Sequence, residues 1–316
     1  MKKNQTLVTE FILAGFSSFP DLQTMLFVLF FLMYIITMMG NLLIMVVIGI
    51  DRTLHVPMYL FLFALSFSET WYSLVIIPKM LRDLLAMSKT ISFAGCAAQM
   101  FLFHGLGGTN CLILTVMGYD RYLAICKPLH YPVLMNRQVI LRLVAFSWTG
   151  GFLISLTQTA LVFRLPFSGS NTIKHFLCHL RTVVRVACTD ERTTEVIISA
   201  ISACGLSVSF LFIMLTYVFI ILTILQITST EGRQKAFSTC ASHLIVVIVH
   251  YGFAAIVYLR PNAPGALDND TLMSIPYTII TPLLSPIIFT LRNKEIKGAL
   301  RIAISKKLLT PKDMKY

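Results

Sequence analysis

The sequence predicts an all-α membrane protein, a bundle of seven transmembrane helices. Hydrophobic residues make up 56% of the 316 residues and charged residues only 13%, whereas an ordinary globular protein carries roughly 25% charged residues. Seven uncharged or nearly uncharged stretches are each long enough to cross a bilayer, which takes about 20 residues. Only a helix satisfies its own backbone hydrogen bonds in lipid within one segment. One such stretch could be a buried core helix, but seven in succession exclude a soluble protein.

The predicted spans follow one another with short charged intervals between them. One carboxylate, Glu69, lies within them. Residues 1–21 are the predicted extracellular N-terminus, residues 22–291 the seven-helix domain and residues 292–316 the cytoplasmic tail. The spans are residues 22–50, 56–78, 90–119, 143–163, 196–230, 236–259 and 271–291.

The orientation follows from the basic residues, which are enriched in cytoplasmic loops. With the N-terminus outside, 15 of the 26 Lys and Arg residues lie inside. Asn4-Gln5-Thr6 is a glycosylation acceptor that requires the same orientation. After the last span, Ile296, Leu300, Ile304 and Leu308 recur every four residues among basic residues. This pattern predicts a short amphipathic helix on anionic lipid, with a solvated basic tail as the alternative.

Several function classes find little support in the residues. The formal net charge is +12, but the basic residues are spread over many loops rather than gathered into a nucleic-acid-binding patch. Glu69 has no second acid beside it for catalysis, and its placement in lipid costs roughly 3 kcal/mol, so it faces the bundle interior. It is either a polar switch or a static helix contact. The loop residues His175, Cys178 and His179 resemble metal ligands, but a cysteine on the oxidising side is more often in a disulfide. We expect no enzyme activity, metal or cofactor.

Five ordered motifs carry a resemblance along almost the whole chain. The segment from Met117 to Cys126 contains Asp120-Arg121-Tyr122 and resembles the signature of olfactory receptors, a branch of the rhodopsin-like G-protein-coupled receptors. The other four motifs are similar to that family's in the same order. They are Gly40-Asn41, Leu54 to Tyr59, Lys235 to Leu244, and Pro282 to Phe289 with the following Leu291-Arg292-Asn293.

The resemblance implies an odorant receptor of the plasma membrane that activates a heterotrimeric stimulatory G protein of the olfactory type and raises cyclic AMP. It implies a disulfide between Cys96 and Cys178. It also implies a coupling switch in which Asp120 holds Arg121 at rest. The implied switch residues are Asp120, Arg121, Tyr122, Tyr217, Lys235 and His243.

The chain departs from the family pattern in two places. A second loop disulfide is replaced, because Cys188 has Ser168 where its partner cysteine would stand, so we expect Cys188 to be a free thiol. In the central polar network an acid is replaced by Asn110 and an Asn by Ser285, while Phe289 replaces a Tyr. The expected network is Asn41, Glu69, Asn110 and Ser285, with a single ionisable group.

The resemblance also indicates a ligand pocket in the outer halves of the third, fifth, sixth and seventh spans. An apolar cavity with a few hydroxyls and one imidazole suits a small, neutral, hydrophobic volatile. Glycines in this set could make room for ligand or allow close helix packing. The predicted pocket residues are His104, Gly107, Gly108, Ser207, Tyr251, Ala255, Tyr258 and Thr278.

Two rival functions stay open at this point. A receptor of the same family could sense a metabolite in another tissue, which tissue expression would distinguish. A channel or transporter would explain seven spans and Glu69, but it leaves Asp120-Arg121-Tyr122 and the Lys235 segment unexplained.

Overall fold

The structure, a computed structural model of the chain, confirms the seven-helix bundle. It describes residues 8–17, 20–168, 170–188, 192–259, 267–292, 295–299 and 301. Seven helical segments among these residues are long and apolar enough to cross a membrane. The first six are α1 (Gln23–Ile50), α2 (Pro57–Leu85), α3 (Phe93–Cys126), α5 (Arg137–Phe163), α7 (Arg192–Leu225) and α8 (Thr230–Tyr258). The seventh joins α9 (Leu267–Ile275), a π-helical turn (Pro276–Ile280) and α10 (Thr281–Arg292).

Three helices begin at a side-chain cap rather than at the edge of an uncharged stretch. The Ser229 side chain accepts a hydrogen bond from the Gly232 amide and begins α8, so the predicted fifth span to residue 230 is too long. Ser92 and Asn136 cap α3 and α5 in the same way. A capping side chain satisfies an amide that the first turn leaves unpaired.

The centre of the bundle is α3, which packs closely on α5 through glycines. A Cβ on Gly151 would lie 2.6 Å from the Thr109 amide nitrogen and 2.7 Å from the Gly105 carbonyl oxygen, so only glycine fits there. Gly108 faces the same residue, since its Cβ would lie 3.2 Å from Gly151 Cα. Gly108, which is predicted for the pocket, is therefore also a helix-packing residue.

A small sheet covers the end of the bundle that is predicted to be extracellular, called the outer end below. The sequence did not predict this sheet. Strand β1 (Glu10–Leu13) pairs antiparallel with β2 (Thr90–Ser92) and parallel with β3 (Thr172–Ile173). Residues 90–92, predicted as the start of the third span, are therefore strand. Phe11 and Ile173 are fully buried in a second apolar cluster at this end.

The opposite, inner end has two short helical elements, a 3-10 turn (Arg52–Leu54) and α4 (Tyr131–Leu134). After α10, residues 295–299 are helical, Ile296 is buried, and Glu295 accepts a hydrogen bond from the Tyr59 hydroxyl at 2.7 Å. Most of the predicted amphipathic helix lies outside the described residues, as does the acceptor Asn4.

Candidate functional site

The carboxylate of Asp120 is fully buried at the inner end of α3, between a tyrosine and an arginine. The Tyr131 hydroxyl donates to Asp120 Oδ1 at 2.7 Å, and Arg121 Nη2 lies 3.7 Å from Asp120 Oδ2. Burial and the adjacent carboxylate raise the pKa of Tyr131, so it stays a neutral donor. Tyr131 was not predicted. The sequence signal that could have indicated it is a tyrosine shortly after the basic residues that end the third span.

Tyr122 points away from this pair, toward α7. Its ring centroid lies 5.9 Å from that of Phe219 and 6.3 Å from that of Tyr119. One turn further on, Cys126 Sγ lies 3.1 Å from Thr223 Oγ1. Tyr122 thus belongs to the contact between α3 and α7 rather than to the Asp120 site.

A three-helix hydrogen-bonded chain, called the Tyr217 lock below, lies one to two turns above Arg121. It consists of the Leu114 carbonyl of α3, His243 of α8 and the Tyr217 hydroxyl of α7. His243 Nε2 lies 3.0 Å from the Leu114 oxygen, which can only accept, so Nε2 carries the proton. His243 Nδ1 must then accept from the Tyr217 hydroxyl at 2.8 Å. Lys235 lies in α8, and its side chain is outside the described residues.

The four predicted network residues are all buried, but the structure connects them only in part. Asn41 Nδ2 donates to the Thr37 oxygen at 3.1 Å and to the Pro282 oxygen at 3.5 Å. Ser285 is placed to interact with the Glu69 carboxylate. Among the described residues, Asn110 Oδ1 and Glu69 Oε2 have no hydrogen-bond partner. Asn110 is therefore not joined to the others by a hydrogen bond.

A cavity of about 670 Å³ lies against α3 and extends from His104 in its outer half to Tyr119 near its inner end, further inward than predicted. Four predicted pocket residues line it: His104, Gly107, Gly108 and Tyr258. The other four do not. Ser207 is exposed on α7 and Ala255 is half-buried on α8. Tyr251 and Thr278 are buried with hydroxyls that donate to the carbonyls of Cys111 and Ser274. Lining residues that were not predicted include Cys111, Thr115, Gln158, Ser202, Ser209 and Tyr277.

Gln158 could have been predicted to contact a neighbouring helix, because a polar amide within the fourth span needs a hydrogen-bond partner. Its Nε2 donates to the Ile198 oxygen at 3.2 Å and to Ser202 Oγ at 2.8 Å. This bridge joins α5 to α7 at the outer end of the cavity.

One ring nitrogen of His104 has no hydrogen-bond partner among the described residues. Its Nδ1 lies 2.9 Å from the Met100 carbonyl oxygen, so Nδ1 carries the proton and Nε2 is an acceptor. Nε2 is buried and has no hydrogen-bond partner among the described residues. The ring centroids of His179 and Tyr258 lie 5.5 Å and 6.2 Å away. Gly107 belongs to the same region, because its Cβ would lie 3.2 Å from the Tyr277 hydroxyl.

The loop above the cavity is held by the predicted disulfide, which the structure confirms between Cys96 and Cys178 with 5.5 Å between the Cα atoms. The Cys178 amide also donates to Gln99 Oε1 at 3.0 Å. His175 Nδ1 accepts from the Leu177 amide at 3.2 Å, and its Nε2 donates to Ser274 Oγ at 3.0 Å.

Burial lowers the pKa of His175 to about 3, and it lowers the pKa of His179 well below its ordinary value. Both imidazoles are therefore neutral. Because Cys178 is in the disulfide, these three residues do not form a metal site, and the described part of the chain holds no other group of three ligands placed for one.

Cys188 is an exposed free thiol, and Ser168 lies directly against it. The Ser168 amide nitrogen and Oγ each lie 3.0 Å from Cys188 Sγ. The substitution inferred at residue 168 is thus placed where a partner cysteine would have to be.

Comparisons with known proteins agree along the whole chain. A protein-family model described as olfactory receptor matches residues 30–307. The chain is 60% identical to olfactory receptor 10X1 of Homo sapiens over 95% of its own length and 91% of that protein. It is 51% identical to olfactory receptor 10H1 of Homo sapiens, covering 99% of both chains. Among solved structures, squid rhodopsin has the same fold with a TM-score of 0.69 at 16% identity, over 92% of this chain and 87% of that one.

Proposed function

Because the chain belongs to the olfactory receptor family, we propose that it binds small, mostly hydrophobic, neutral odorants in the cavity against α3 and activates an olfactory-type stimulatory G protein, raising cyclic AMP. Membership of this family makes it a multi-pass plasma-membrane receptor of the rhodopsin-like fold and not an enzyme. Odorant binding and G-protein coupling belong to the family in general. The ligand, the G-protein type and the residue roles are the proposal.

The observation that supports this proposal most directly is that the cavity and the Tyr217 lock share two helices, α3 and α7. Thr115 and Val116 line the cavity immediately after Leu114, whose carbonyl ends the lock. Phe212 lines it five residues before Tyr217, about 8 Å along α7 at 1.5 Å per residue. A ligand that separates α3 from α7 at the cavity therefore changes the packing at the lock.

The resting state in this proposal is the one described above. Asp120 accepts from Tyr131 and is paired with Arg121, while His243 joins α3, α7 and α8 through Leu114 and Tyr217. A ligand shifts a two-state bundle only by the difference in its affinity for the two packings. Activation breaks these contacts at the inner end and turns Arg121 toward the G protein. Asn41, Glu69 and Ser285 hold the middle of the bundle through both states.

The test is cyclic AMP in cells that express surface-verified receptor with the olfactory G protein, screened against a panel of odorants and metabolites. Arg121→Ala is compared with Arg142→Ala, which removes an exposed arginine from the inner part of α5. We expect the response to be lost in the first variant and kept in the second. A ligand response that persists in Arg121→Ala, or a ligand-dependent current in its place, would refute the proposed mechanism.

A further inference from the structure

The cavity against α3 opens toward the side of the bundle, between α5 and α7. Its wall residues Phe146 of α5 and Val208 of α7 are 65% and 61% exposed, and both lie within membrane-spanning segments. Behind them, Cys111, Leu112 and Thr115 of the central helix α3 are only half-buried. In a bilayer, exposed side chains at this depth contact hydrocarbon. The mouth of the cavity therefore faces lipid.

The mouth has two defined ends. At the outer end the Gln158 amide bridges α5 to Ile198 and Ser202 of α7. At the inner end the rings of Tyr119 and Phe212 approach each other, with centroids 6.4 Å apart. From Ser202 to Phe212 the helix rises about 15 Å at 1.5 Å per residue, which is long enough for a hydrocarbon chain to lie across.

The loop above the cavity offers no comparable opening in the part of the chain that the structure describes. Leu177, Cys178 and Leu180 are each at most 2% exposed. His179 and Tyr258 line a space of only about 10 Å³ just above, too small for any odorant. The disulfide and the Gln99 hydrogen bond hold this loop against α3.

Polar groups line the cavity at several points. His104, which is 9% exposed, is one of the lining residues, its Nε2 has no hydrogen-bond partner among the described residues, and its ring centroid lies 6.2 Å from that of Tyr258. Nearer the mouth the protons of two hydroxyls are already donated to backbone carbonyls. Thr115 donates to the Cys111 oxygen and Ser209 to the Gly205 oxygen, both at 2.8 Å. A buried acceptor without a partner is unfavourable, so a ligand that donates to Nε2 gains affinity by satisfying it.

We infer that the cavity takes a single-chain alcohol head first from the bilayer, between α5 and α7. The hydroxyl donates to His104 Nε2, and the hydrocarbon chain lies along α3 with its end in the mouth. The inference rests on the proposed function only in that the occupant is the activating ligand. It makes the membrane, rather than the extracellular water, the phase from which the receptor samples its ligand.

The probe is 1-dodecanol carrying a photoreactive diazirine, bound to the full-length purified receptor in phospholipid nanodiscs. One probe carries the diazirine beside the hydroxyl carbon and a second carries it at the chain end, and the labelled peptides are mapped by mass spectrometry. We expect the first probe to label α3 between residues 104 and 111. The second should label α5 around residues 146–154 and α7 around residues 204–212.

Competition defines the head group and the occupant. Unlabelled dodecanol should displace both probes, and its methyl ether, which lacks the donor, should compete roughly 2- to 10-fold less well, as expected for one hydrogen bond. His104→Phe keeps a ring at this position and should abolish that difference. Equal labelling of all lipid-facing helices, labelling that dodecanol does not displace, or labelling by the head-group probe at the extracellular loop would each overturn the inference.

A glycine at the mouth allows a matched pair of variants. A Cβ on Gly205 meets nothing within 4 Å, and the same holds for Gly49, which is exposed on α1 away from the cavity. Gly205→Trp should fill the mouth and lower labelling by both probes at least fivefold, whereas Gly49→Trp should leave it unchanged. Equal labelling in the two variants would contradict lateral entry, and the wild-type map stands as a test if Gly205→Trp fails to fold.

The labelling needs no G protein, so the binding proposal and the signalling proposal can be refuted independently of each other. Specific labelling together with silent cyclic AMP would refute the signalling proposal and support the site. A cyclic AMP response to extracellular ligands that is unchanged in Gly205→Trp would refute lateral entry and leave the signalling proposal standing.

Discussion

Replacing Ser168 with Cys should create a second loop disulfide with Cys188. The Ser168 side-chain oxygen lies 3.0 Å from Cys188 Sγ, and the Cys188 amide donates to the Pro166 oxygen at 3.0 Å, so the two segments are already side by side. A sulfur in place of that oxygen needs only a small side-chain rotation. The new bond would join residues that are 20 apart in sequence.

The expected gain in stability follows from the length of the loop that the disulfide closes. For 20 residues the chain-entropy relation gives about 3 kcal/mol at 25 °C. This is an upper figure, because the existing hydrogen bonds between residues 168 and 188 are exchanged for the disulfide. At roughly 2 °C per kcal/mol for a large domain, the thermal midpoint should rise by at most about 6 °C.

The measurement is thermal unfolding of purified receptor, together with peptide mapping under non-reducing conditions. Ser168→Ala removes the side-chain hydrogen bond without adding a thiol and should not raise the midpoint. The double change Ser168→Cys with Cys188→Ser should also show no gain. If mapping finds no peptide joining residues 168 and 188, or if the double variant is as stable as Ser168→Cys, the placement of Ser168 opposite Cys188 is refuted.

Three further predictions concern the hydrogen bond between Tyr131 and Asp120, the contact between α3 and α5 at Gly151, and the buried loop residue His175. Tyr131→Phe leaves Asp120 without its donor, a loss of about 1.5–3 kcal/mol for a charged group, and should raise ligand-free cyclic AMP several-fold; a basal signal at or below wild type contradicts the role given to this bond. Gly151→Ala places a Cβ within 2.6–2.7 Å of α3 backbone atoms and should lower the thermal midpoint by several degrees, whereas Gly49→Ala should not. The buried His175 has a pKa of about 3 in the folded state, so between that value and its ordinary pKa near 6.5 only the unfolded state takes up the proton, and stability falls as the pH is lowered. Between pH 7.5 and pH 5 the loss is about 2 kcal/mol from this residue, and His175→Asn should make the thermal midpoint less dependent on pH, an unchanged dependence being the contrary result.

The bundle could be predicted because lipid leaves the chain few choices. Seven apolar stretches imply seven helices, and motif resemblance implied the Cys96–Cys178 disulfide, which is present. The sheet at the outer end could not be predicted in the same way. Its strands are two to four residues long and come from three distant segments, so no local alternation marks them. The π-helical turn at Pro276–Ile280 likewise depends on packing rather than on composition.

Motifs indicated several residues of the candidate site, but not the partners that those residues contact. Tyr217 and His243 were expected from their motifs, but their contact with the Leu114 carbonyl follows from how three helices pack. Tyr131 was missed for the same reason, since its partner Asp120 lies in another helix. The family resemblance places Ser207 along α7 but does not show the helix face on which its side chain lies. The prediction of Ser207 as a pocket residue failed for this reason.

In the mechanism proposed above, α3 is the helix through which ligand and G protein communicate. Residues between His104 and Tyr119 line the cavity, Leu114 supplies the carbonyl of the Tyr217 lock, and the inner end carries Asp120 and Arg121. Gly118 lets α7 and α8 approach α3 at the lock, because a Cβ there would lie 3.3 Å from Thr216 Oγ1 and 3.6 Å from His243 Cε1. Under the proposed binding mode, a hydrocarbon chain between α5 and α7 would press on α7 above this point, while the Gly151 contact holds α3 to α5. We therefore expect the displacement to fall on α7 and to strain first the hydrogen bond between Tyr217 and His243.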